Sequence, residues 1–205
     1  MGDARARRAR AAAAVGRFLD AVLPREARRD RELADTPARV AEAFERELLD
    51  GYGCDPARLL AGGIPHRGRD LVAVAGIDFH AVCPHHLLPY RGTATVAYVP
   101  GGRVVGFGTL ARLVDCFAHR LTLEEVVARD VAEALVEHLG ARGAACVLDA
   151  EQPCLTVRGE RRRGARAHAQ AFAGAMEADR SLQRRVLELA RGAASSPRRG
   201  KGRRT

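Results

Sequence analysis

Cys83, Pro84, His85 and His86 occupy four consecutive positions in the stretch AVCPHHLLPYRG. Thiolate and imidazole are the donors that hold zinc, so the run raises the question of a metal site. A cysteine and a histidine three residues apart can face one ion from a tight turn. Adjacent histidines in an extended segment point to opposite sides, so one of His85 and His86 can ligate while the other stays free for proton work. Cys83, His86 and the distant Cys154 then supply a Cys2His set. Three protein ligands leave a fourth position open, which is the catalytic form of a zinc site; water held there has its pKa lowered to about 7. Such donors favour zinc, and iron or cobalt can use them too. Free cysteines, and histidines near strand ends, also occur as plain packing residues, so spacing alone leaves both readings open.

The rest of the chain must position these groups. Its 205 residues are 47% hydrophobic, enough for one domain with a buried core, and the 4% aromatic content with no tryptophan predicts an aliphatic Ala/Val/Leu interior. The five cysteines are odd in number and not spaced as a disulfide scaffold. A reducing compartment follows, with Cys54, Cys116 and Cys146 as packing residues. No apolar run approaches the roughly 20 residues that span a bilayer. Arg17 and Asp20 interrupt the one segment resembling a secretory core, so a cytoplasmic location is expected. The formal charge of +9 is concentrated in MGDARARRARAAAAVGRF and SSPRRGKGRRT. No aromatic residues interleave there for base stacking, so solvated ends are expected rather than a nucleic-acid site.

Periodicity predicts a helix over 5–23 and another after the Asp35/Thr36 cap with Pro37 in its first turn, then a loop over 54–68. Alternation predicts strands in DLVAVAGIDFHAVC, GTATVAYVP and RVVGFG, the last two joined as a hairpin. Helices follow in TLARLVDCFAHRL and in TLEEVVARDVAEALVEHLG, the second capped by Thr122 and stopped by Gly140. Strands AACVLDAE and CLTVRG, a helix over 165–191 and a disordered tail from 192 complete the chain. Antiparallel strands with helices grouped between them define an α+β domain. The expected division is a helical region over 1–66, a catalytic domain over 67–191 and a basic tail over 192–205.

DTPARVAEAFERELLDGY, CPHHLLPYRGTATVAYVP, VVGFGTLARLVDCFAHRLTLEE and DAEQPCLTVRG follow one another over about residues 35–175. In that joint pattern the chain resembles the GTP cyclohydrolase I family. The resemblance implies the tunnelling fold: an antiparallel sheet backed by helices, closing with other copies into a barrel. Two stacked rings would make a homodecamer with active sites between subunits. It implies zinc on Cys83, His86 and Cys154, where a zinc-held water attacks C8 of the guanine imidazole ring. The formamide then loses formate, and ribose rearrangement closes dihydroneopterin triphosphate. It further implies that His85 moves protons, that Glu125 grips the guanine edge with two acceptor oxygens, and that Arg112 and Arg158 contact the triphosphate.

Four departures surround this pattern. Gln152 stands where the family has its second catalytic histidine, and a neutral amide cannot shuttle a proton near pH 7. Pro84 replaces a glutamate and stiffens the turn. Gly108 and Thr109 replace a Ser-Lys pair that helps hold phosphate. Arg161, Arg162, Arg163 and His168 replace a run of hydroxyls, and His168 is a candidate substitute proton donor. The expected activity is therefore zinc-dependent opening of a guanine-type nucleotide at C8, stopping at the formamide or the deformylated pyrimidine and serving a specialised pathway. An ordinary GTP cyclohydrolase I and a silent guanine-binding ring are the alternatives.

Overall fold

The computed structural model describes residues 2–195; Met1 and residues 196–205, most of the expected basic tail, lie outside the described residues. A four-stranded antiparallel sheet carries the fold, in the order β2 (Val72–Val82), β3 (Pro89–Val99), β5 (Gly143–Glu151) and β6 (Ala167–Gly174). Strand side chains alternate between faces. Ile77, Phe79, Ala81 and Cys83 on β2 and its end share one core with Tyr90, Ala94, Val96 and Tyr98 on β3. That core is closed by Leu110, Leu113 and Val114 of α4 (Phe107–Ala118) and by Val127, Val131 and Leu135 of α5 (Glu124–Glu137). The opposite parity, with Ala97 and Ala145, meets Leu182 and Val186 of α7 (Arg180–Ser195). The interior is aliphatic and alanine-rich, as the composition predicts. Phe79 and Tyr90 form its one described aromatic pair, edge to face at 6.3 Å.

The amino-terminal helices α1 (Gly2–Val22) and α2 (Thr36–Ala43) lie against each other, with Arg8 paired to Glu45 just beyond α2. Asp35 occupies the cap position of α2 and Pro37 its first turn. The expected loop over 54–68 contains a short helix, α3 (Pro56–Ala61), and a two-residue strand, β1 (Ile64–Pro65). Asp55 makes the helix possible by accepting from the Ala57 and Arg58 amides. Leu60 of α3 is buried in the main core. Among the described residues no helix is long and apolar enough to cross a membrane.

Five local expectations are corrected. RVVGFG does not form a hairpin with β3, whose two edges are taken by β2 and β5; β4 (Arg103–Val104) pairs with β1 instead. CLTVRG is not a strand. Pro153 supplies the first turn of a short helix, α6 (Pro153–Thr156), and the Gln152 carbonyl accepts from the Leu155 and Thr156 amides. Residues 165–191 are not one helix, because AHAQAFAG runs as β6 and places His168 opposite Asp149 on β5. The helix that follows continues to Ser195, past the expected boundary. Thr122 is not the cap of α5: Leu123 holds that position, and the Thr122 amide donates to Val82.

The observed α+β architecture, an antiparallel sheet backed by helices, fits the tunnelling-fold subunit implied by the resemblance.

Candidate metal centre and active site

Cys83 follows β2 on the buried parity of Ile77, Phe79 and Ala81, so it belongs to the core side of the sheet, and the residue is 5% exposed. The turn that follows is fixed at both ends. The Leu87 amide donates to the Cys83 carbonyl at 2.9 Å, and the Cys83 amide donates to Leu88 at 3.0 Å. Leu87 takes φ +54 to complete it. Because the segment is a tight turn rather than extended chain, the two histidines do not point apart. Nδ1 of His86 lies 3.7 Å from the Cys83 sulfur and Nδ1 of His85 lies 4.0 Å from it.

Cys154 arrives from the segment after β5, on the first turn of α6. One ligand atom from each of Cys83, His86 and Cys154 lies within 4.8 Å of the other two. It is the one such group of three among the described residues. Burial raises the Cys154 thiol above its ordinary pKa, and the neighbouring Cys83 raises it further. Two sulfurs and an imidazole nitrogen brought this close, one sulfur buried, form a donor set suited to zinc. Arg158, just past α6, donates from Nη1 to Nε2 of His86 at 2.8 Å.

A second group lies beneath the turn. Thr122 N bonds to the Val82 carbonyl at 3.1 Å, and the buried Tyr90 hydroxyl donates to the Thr122 carbonyl at 3.2 Å. These bonds tie the segment before α5 to the end of β2 and the start of β3. Glu124 is thereby buried, 3% exposed, and its Oε1 accepts from Nε2 of Gln152. Gln152 Oε1 in turn accepts from the Cys154 thiol at 3.9 Å. Glu124 Oε2 is buried with no hydrogen-bond partner. Burial raises the Glu124 pKa; the Gln152 bond and His168 oppose the rise, while Glu125 and Asp149 add to it.

The structure thus brings together Cys83, His85, His86, Cys154, Arg158 and Gln152. Glu125 is exposed on the first turn of α5, and Arg112 is exposed on α4, donating to Thr109 Oγ1 at 3.3 Å. His168 sits on a strand, not a helix, with its side chain 67% exposed and Nδ1 at 3.8 Å from Asp149. No described hydrogen bond or ion pair joins these three to the thiols. Glu124 is the residue that reading the sequence missed. Its signal lay in the helix phase, because positions 124, 127, 128, 131 and 135 form one stripe and all are buried. Cys116 and Cys146 are buried packing residues, and burial pushes their thiols up to about 12, whereas Cys54 is half-buried.

The model of the family described as GTP cyclohydrolase I matches residues 11–191. GTP cyclohydrolase 1 of Chromobacterium violaceum is 48% identical over 153 residues, 74% of this chain and 74% of that one. The protein of the same name from Ralstonia nicotianae is 48% identical over 158 residues, 77% and 75% of the two chains. That from Mycobacteroides abscessus is 40% identical over 183 residues, 88% of each. Among solved structures, apo archaeosine synthase QueF-Like gives a TM-score of 0.44 at 19% identity, over 53% of this chain and 97% of that one.

Proposed function

The chain belongs to the GTP cyclohydrolase I family, and from that membership we propose that it is a zinc-dependent hydrolase opening the imidazole ring of a guanine nucleotide at C8. The observation that carries this reading is the convergence of Cys83, His86 and Cys154 within 4.8 Å. Zinc on these three ligands would supply Lewis acidity and an activated water for attack on an electrophilic carbon.

The chain's own residues supply the rest. His85, beside the cluster at the exposed turn, is free to carry protons to and from the ring nitrogens. Arg158 presents a forked donor for a phosphate oxygen, and Arg112 a second. Glu125 offers two acceptor oxygens to the N–H groups on the guanine edge. Glu125 and Arg112 are exposed and have no described bond to the thiols. That supports sites completed between subunits of a homo-oligomer, which we propose to be a decamer. A cytoplasmic location is supported by five unbridged cysteines.

Two end points follow from this chemistry. Gln152 cannot deliver a proton, which favours a reaction that stops at the formamide or the deformylated pyrimidine and feeds a specialised pathway. The name shared by relatives at 48% identity favours continuation to dihydroneopterin triphosphate. Mass spectrometry of zinc-loaded protein incubated with GTP, GMP, guanosine and guanine separates them. A product heavier by one water marks a stop at the formamide, formate release without pterin marks a stop at the deformylated pyrimidine, and the pterin marks full turnover. Intact substrate in all four would refute the proposed activity.

His85→Ala is expected to lower turnover by about 10² to 10⁴-fold, the range for loss of a general acid or base. Zinc content should be unchanged, because Cys83, His86 and Cys154 remain. Metal analysis beside the rate measurement checks this; an unaltered rate would remove His85 from the mechanism.

A further inference from the structure

Glu124 is the one carboxylate or cationic side chain that is fully buried among the described residues. One of its oxygens has no hydrogen-bond partner. An unpaired buried carboxylate does not help the fold, and an apolar or amide side chain of similar size would be easier to accommodate. Its one described bond is to Gln152 Nε2, and the other end of that amide is the end that meets Cys154.

A carboxylate only accepts hydrogen bonds, so the amide NH2 must face Glu124 and the amide carbonyl must face the thiols. We propose that Glu124 is a positioning residue, which pins Gln152 so that position 152 presents a fixed hydrogen-bond acceptor to the group held at Cys83, His86 and Cys154. Without Glu124 the amide can rotate and offer either end; with it, only the oxygen. The consequence for substrate rests on the activity proposed above. In guanine, N7 beside C8 carries a lone pair, which a carbonyl oxygen repels. Once water has added at C8, N7 carries a hydrogen, which the same oxygen accepts. The Glu124–Gln152 pair therefore favours the species after addition over the intact ring, the differential binding that lowers a barrier.

Tyr90, Glu125, Asp149 and His168 are the other titratable groups that act electrostatically on this carboxyl. With burial as the largest cause, its folded pKa lies above the unfolded value. Wild-type stability therefore falls as pH rises between those two values, and the deficit is fully present above the folded one. Replacing the carboxylate should remove this deficit.

The test uses full-length wild type, Glu124→Gln, Gln152→Ala and the double variant. Calorimetric titration with GTP and with its 8-oxo analogue, which carries N7–H, gives the preference for a donor at N7. Wild type is expected to prefer the analogue. Either single change should shrink that preference about tenfold, the scale of one hydrogen bond. The double variant should lose no more than either, since both act through one contact. The thermal midpoint of Glu124→Gln at neutral pH should equal or exceed that of wild type. Additive losses, or a Glu124→Gln protein that melts earlier with its preference intact, would make Glu124 merely structural. Wild type that binds neither nucleotide would instead overturn the activity proposed for the site, and this inference with it.

Discussion

Replacing Cys154 with alanine is expected to abolish stoichiometric zinc binding and to lower ring opening by at least about 10³-fold. Cys154 reaches the cluster from α6 while Cys83 and His86 come from one turn, so its loss leaves two donors on one side of the site. Two donors do not define a tetrahedral site with one open position. Lewis-acid stabilisation worth several kcal/mol is lost with the ion, and roughly 4 kcal/mol corresponds to a thousandfold in rate. The fold should survive, because Cys154 is only half-buried and the Gln152 and Thr156 bonds that hold α6 do not use its sulfur. Metal analysis, steady-state rates and the melting temperature of metal-stripped protein separate these effects. Full zinc occupancy in Cys154→Ala would show that the ion is held elsewhere.

Gly101→Ala is expected to cost roughly 3 kcal/mol of stability, the upper end for overpacking a tight site. The Pro100–Gly101–Gly102 turn after β3 lies backbone to backbone against the turn between α5 and β5. A Cβ at Gly101 would stand inside the van der Waals shell of the Gly140 carbonyl oxygen. Arg142 N bonds to the Val99 carbonyl at 2.9 Å, so the two turns are tied and cannot separate freely. The obstacle is backbone, with no flexible side chain to yield. At Gly108, by contrast, an added Cβ meets nothing within 4 Å. Gly108→Ala in α4 should be neutral or stabilising by about 0.5 kcal/mol. Denaturant midpoints of the two variants provide the comparison. Equal midpoints would refute the close approach.

The elements that were legible in the sequence are those whose apolar period had one interpretation. β2, β3 and β5 read as strands despite the bulge between Val74 and Ile77 in β2, α4 and α5 carry full helical stripes, and Cys83, His86 and Cys154, singled out in the sequence as candidate ligands, are brought within 4.8 Å of one another. The errors arose where local chemistry competed with the pattern. Leu155, Thr156 and Val157 read as a strand, but Pro153 opens a helical turn and the Gln152 carbonyl completes it. AHAQAFAG alternates with period two, yet alanine is the strongest helix former, and only pairing with β5 settles the contest. The partner of β4 was not visible at all, because which edge a two-residue strand joins depends on which edges are already occupied. The histidine pair was read as extended chain and is a turn, which changes where both rings face.

At the site, attention fell on Glu125 because the family motif runs through it, while helix phase pointed inward at Glu124. Both can matter, at different distances from the chemistry. Glu125 is exposed and available to a substrate edge, whereas Glu124 is buried and acts on the site through Gln152. Of the departures from the family pattern, Gln152 is the one tied to Glu124, and the two form one hydrogen-bonded unit against Cys154.

The most direct measurement is the fate of GTP radiolabelled at C8 when it meets the protein first stripped of metal, then reloaded with zinc. Label should stay in intact GTP with the stripped protein. After reloading it should move to a ring-opened formamide or to formate, with one zinc bound per chain. Stoichiometric zinc at Cys83, His86 and Cys154 with all the label still in GTP would contradict a metal-assisted opening of the guanine ring.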